Sequence, residues 1–201
     1  MSRIIPASVI LSVLISTQVY GYEPGDHDLF IMPTAYTMPQ GKSYLTDYEV
    51  LFLNYTYAPT NSLHIGVFSF IPPFFGYLTL GAKQRLFRNR FVAGAVWVSH
   101  TPWIPRIYDD GTSSVTIAGG VASFGTSAIS GHLAPLVVPN FKNPDLTGYL
   151  CMAGAKLDLK QDLISQKVEF LGECLIPLND LDYESTVFYY NLGLRVSGKV
   201  A

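Results

Sequence analysis

Charge is what this chain has least of. Asp, Glu, Lys and Arg together make up 14% of its 201 residues, hardly more than the 13% contributed by Phe, Trp and Tyr, and the mean hydropathy is positive at +0.26. A surface facing water on all sides carries roughly 25–35% charged residues, so something other than water is expected to cover this protein. The net charge of -2 and the lack of any basic cluster beyond Arg85, Arg88 and Arg90 exclude nucleic acid as a partner. Cysteine is scarce as well. Cys151 and Cys174 are far apart, with no C-x-x-C and no neighbouring His pair, so no metal site is expected, and no motif calls for a cofactor.

Long hydrophobic runs are also missing. The apolar stretch Ile4–Ile15 falls short of the roughly 20 residues that a spanning helix needs. It follows the basic Arg3 and precedes Ser16-Thr17-Gln18-Val19-Tyr20-Gly21, the order of a secretory signal peptide. Residues 1–21 are therefore expected to be a cleavable signal, with residues 22–201 forming one exported domain.

What the chain does have is a series of stretches rich in Val, Ile, Leu, Tyr and Phe, separated by turn-forming residues at fairly even intervals. Strands are expected near 44–58, 63–71, 76–86, 91–101, 114–124, 128–138, 147–159, 163–176 and 185–197, with a short first one at 28–34. The connections alternate. Tight links at 59–62, 87–90, 125–127 and 160–162 exchange with longer proline-bearing links at 72–73, 102–113, 139–146 and 177–184. Short turns at one rim and long loops at the other describe an all-β, antiparallel, up-and-down transmembrane β-barrel of about 8–10 strands.

Side-chain parity assigns the faces. Successive strand residues point opposite ways, so charges two apart share a side. Asp47 with Glu49, Lys83 with Arg85, Lys156 with Asp158, and Lys167 with Glu169 and Glu173 all keep this spacing, and Arg195 joins them as a lumen-facing candidate. On the lipid face a charge at the bilayer midplane costs roughly 2–4 kcal/mol, whereas in the lumen it can pair across strands. The charges are therefore expected inside and the apolar sets, such as Leu78 and Leu80 or Leu157 and Leu159, outside. The competing architecture is a water-soluble sandwich with the faces reversed. Tyr44, Tyr55, Tyr57, Trp97, Trp103 and Tyr149 read as interfacial girdles.

The run Pro33-Thr34-Ala35-Tyr36-Thr37-Met38-Pro39-Gln40-Gly41-Lys42-Ser43-Tyr44, with Leu63-His64-Ile65-Gly66-Val67 and Gly154-Ala155-Lys156-Leu157-Asp158-Leu159, resembles a family of predicted bacterial outer-membrane β-barrel proteins without assigned activity. That resemblance implies an outer-membrane address and brings no catalytic residues. It departs from the usual pattern at Ser197-Gly198-Lys199-Val200-Ala201, where many outer-membrane barrels end on an aromatic residue and where a further strand is expected.

The search for chemistry yields little. Ser130 and His132 share a face at i, i+2, while Ser99 and His100, being adjacent, do not. Neither pair makes a catalytic site, and Asp26-His27-Asp28 and Asp109-Asp110-Gly111 read as solvated or turn segments rather than ion sites. The expected function is a narrow channel or a barrel binding a small or lipid-like solute, not an enzyme. The alternative is a structural or surface-interaction protein acting through the loop that carries Trp103, Tyr108, Asp109 and Asp110, and the third reading, ranked below both, is a membrane-embedded hydrolase using His132 or His100. Expected partners are membrane lipids, the outer-membrane insertion machinery and a small solute.

Overall fold

A computed structural model describes residues 16–21, 32–48, 52–70, 78–105, 112–126, 128–141, 143–159, 167–178 and 189–197. Within them one antiparallel sheet runs in strict sequence order: β1 (Ser16–Gly21), β2 (Ser43–Tyr48), β3 (Phe52–Tyr57), β4 (Leu63–Phe70), β5 (Leu78–Arg88), β6 (Val92–Pro105), β7 (Thr112–Gly125), β8 (Ile129–Val138), β9 (Gly148–Leu159), β10 (Lys167–Pro177) and β11 (Tyr189–Ser197). The only helical turn among the described residues is the 3-10 turn Pro144–Leu146. No helix there is long and apolar enough to cross a membrane. Ten strands, β2 to β11, lie beyond the expected signal segment. The outer strands β1 and β11 do not pair, so the sheet is open at that seam.

The tight turns are closed by side chains that stand in for backbone partners. Asn89 Oδ1 accepts from the N–H groups of Phe91 and Val92, Thr126 Oγ1 from Ala128 and Ile129, and Thr60 Oγ1 from Ser62 and Leu63. These residues are strong turn formers for that reason. Gly125 opens the β7–β8 turn at φ +113, and a Cβ there would lie 2.3 Å from the Ile129 carbonyl oxygen. Gly125→Ala is expected to cost about 1–3 kcal/mol, read as a lowered urea midpoint.

Two expected elements are corrected. The stretch 44–58 is not one strand but the hairpin β2–β3, with Tyr48 paired to Phe52. No Gly, Pro or Asn marks that reversal in the sequence. The short strand expected at 28–34 is not in the ladder where it is described. Residues 32–38 instead lie against one face of the sheet, with Pro33 making an isolated bridge.

That segment shows that the sheet is curled. Met32 N–H donates to Glu173 on β10, and Met38 N–H donates to His64 on β4. One seven-residue segment is too short to cover a flat sheet, yet the same face is buried from His64 on β4 through Lys83, His132, Lys156 and Glu169 to Asn191 on β11. The sheet must therefore wrap around the segment. Met32, Ala35 and Tyr36 pack with Ala93, Ala95, Val121, Ala134, Leu136, Met152 and Leu171 on the concave side. Small wall residues make the room.

The two faces are inverted relative to a water-soluble sheet. The concave side buries Lys83, Lys156, Glu169, Glu173, His64, His132 and Asn191, with Glu169 at 0% exposure. On the convex side Leu80, Val98, Leu133, Leu157, Phe170, Leu192 and Leu194 are exposed, Leu194 at 56%. A sandwich would bury the second set and solvate the first.

Candidate functional site

The concave face is built from cross-strand rows. Register places Ser123, His132, Gly154, Glu173 and Asn191 side by side from β7 to β11. Gly154, in the centre of that row, adds no side chain where Ala35 and Met32 lie buried. Ser123 Oγ accepts from Ala35 N–H at 2.8 Å and contacts His132 Nδ1 at 2.8 Å, while His132 Nε2 lies 2.9 Å from Ser130 Oγ. The network is complete with Ser123 donating to Nδ1 and the Nε2–H donating to Ser130.

Tyr36 is clasped from two sides. His132 meets it edge-on with ring centroids 6.0 Å apart, and the Arg88 guanidinium stands 5.1 Å from its centroid. Such a cation–π contact favours a fixed aromatic. Met38 is anchored at the other end, where His64 Nε2 accepts its N–H at 2.6 Å and Tyr44 and Ala58 cover its side chain.

The charged residues fall on two walls. On β9 and β10, Asp158 stands directly opposite Glu169, an arrangement that repels. Lys156 Nζ bridges them, 3.4 Å from Glu169 Oε1 and 3.6 Å from Asp158 Oδ1, with Lys156 and Glu169 both buried. On β11, Arg195 takes the register position opposite Glu169, and Lys167 on β10 pairs with Ser197. On β4 and β5, Lys83 is buried and pairs in register with His64, with Arg85 half-buried two positions along the strand. The segment Met32–Met38 thus runs from Glu173, on a wall of mixed charge, to His64, on the wall that carries Lys83 and Arg85.

Not every expected site residue lies there. Asp47 pairs in register with Leu53, on the parity of the exposed Tyr55 and Tyr57 and opposite to the buried Thr46 and Thr56. Trp103 is placed by its backbone in β6 rather than in a loop, at the register shift between Thr101 and Ile104, where Pro102 has no N–H to give the ladder. Glu49, Tyr108, Asp109 and Asp110 lie outside the described residues. Cys151 and Cys174 are free.

His64, Arg88, Ser123 and Asn191 were not singled out by sequence parity, since each is a lone polar residue in an apolar stretch or a turn. The segment itself carried a usable signal: Pro33 and Pro39 bracket it and its residues do not alternate. Ser130 and His132 are the pair on this face that would bear on acyl-transfer chemistry. Ser130 and His132 are in contact but almost fully buried, and the second imidazole nitrogen faces a serine, not the carboxylate of a Ser-His-acid relay. No group of metal-ligating residues occurs among the described residues. No family model, curated protein or solved structure matches the chain.

Proposed function

We propose that this chain is a bacterial outer-membrane β-barrel that serves as a narrow route or binding vessel for a small solute, with Met32–Met38 as its internal stopper. The observation that supports this reading most is the inverted burial among the described residues, with Lys83, Lys156, Glu169 and Glu173 buried and large apolar side chains such as Leu80, Leu133, Leu157 and Leu194 exposed. Lipid is the solvent that suits such a surface. Removal of residues 1–21 takes away β1 and leaves β2 free to meet β11, closing an even-numbered barrel of ten strands. A bore of that size holds side chains or one small ligand. With the segment in place little room is left.

The test is membrane fractionation coupled to heat-modifiable migration of the detergent-folded protein. Recovery from the outer membrane with a shift on boiling supports the reading, and a soluble periplasmic chain overturns it. In planar bilayers the full mature chain is expected to conduct poorly, and deletion of residues 32–38 to raise conductance several-fold. An unchanged conductance in a deletion chain that still folds would remove the solute route.

A further inference from the structure

The wall groups that hold Met32–Met38 share a property. Glu173, Ser123 and His64 each address main chain, accepting the N–H groups of Met32, Ala35 and Met38. These donors recur at every third residue of a non-helical segment that bends at Met32 and Ala35, and at each of them the wall meets main chain rather than side chain. Side chain is read at Tyr36, between His132 and Arg88.

A second observation extends the track. Asn191 stands in the same cross-strand row as Glu173 and is 1% exposed, and neither its Oδ1 nor its Nδ2 has a hydrogen-bond partner among the described residues. A primary amide is the complement of a peptide unit, donating to its carbonyl and accepting from its N–H. Burying one unsatisfied is costly, so its position beside Glu173 marks a place where a further peptide unit can be read.

From this geometry we infer that the concave face is a binding site for an extended peptide segment, and that Met32–Met38 is its resident ligand rather than a fixed part of the wall. The class of ligand is an uncharged extended peptide. It carries an aromatic in the place of Tyr36 and one further peptide unit at Asn191. The inference deepens the solute reading by naming the solute class, and it rests on taking the concave face as a bore. Main-chain recognition supplies affinity with little demand on sequence, and the Tyr36 clasp supplies selectivity.

The test uses the mature chain lacking residues 32–38, refolded in detergent and titrated with a fluorescent peptide of sequence Met-Pro-Thr-Ala-Tyr-Thr-Met. Saturable binding is expected, at least tenfold weaker for a peptide with Ala in place of Tyr and at least tenfold weaker in a Ser123→Ala host. No binding to a folded deletion chain, or equal binding of a scrambled peptide, overturns the inference. If the deletion chain does not fold, Ala35→Pro in the full mature chain carries the test, since it removes the amide donated to Ser123 and leaves every wall residue intact. A photo-cross-linkable copy of the peptide should then label β7 and β8 several-fold more than in the wild type, and equal labelling overturns the proposal. Recovery of the chain as a soluble protein would sink the membrane reading alone, leaving the titration to be run in buffer.

Discussion

Replacing Lys156 by methionine is expected to cost about 3–5 kcal/mol, the penalty of leaving a buried charge uncompensated. Lys156 is the cation between Asp158 and Glu169, which stand opposite each other on neighbouring strands. Without it, the facing pair Asp158 and Glu169 loses the cation that bridges it, and Glu169 is left buried without its partner. The measurement is the urea midpoint of the detergent-folded protein, with the slope checked for two-state behaviour. The double variant Lys156→Met with Glu169→Leu is expected to recover most of the loss, because replacing both partners of a buried pair by apolar groups is often near neutral. A single variant as stable as wild type would show that the pair does not carry the β9–β10 contact.

Leu133→Arg on β8 is expected to cost about 2–4 kcal/mol in a bilayer, as a charge on the lipid face near mid-strand does. Leu133 is 44% exposed on the convex side, and its register partner is Ala153. The value of this variant lies in its contrast. Were that face in water, an exposed Leu→Arg change would fall within about 0.5 kcal/mol. Comparing the folded fraction in bilayers of graded thickness separates the two solvents directly. A null effect in lipid would overturn the placement of the convex face in the membrane.

Much of the architecture was legible before the coordinates. From β4 onward the strands fall where alternation and turn residues place them, because a period of two and a cluster such as Pro59-Thr60-Asn61-Ser62 are local signals. The shared parity of the charges within each of these strands was legible for the same reason, and Lys83, Lys156, Glu169 and Glu173 are buried. Parity assigns a common face to residues two apart, but it does not say which face is which when a strand carries both acid and aromatics. The reversal between Tyr48 and Phe52 went unmarked because it uses none of the usual turn residues.

The sequence by itself determined the strand periodicity, the scarcity of charge and its confinement to one side of most strands, all of which depend on neighbours two to ten residues apart. Only the tertiary structure decided that Met32–Met38 lies across the concave face, held by Glu173, Ser123 and His64. Those partners are separated from it by up to 141 positions in the chain, and no local pattern encodes which distant side chains a curled sheet will turn toward one another.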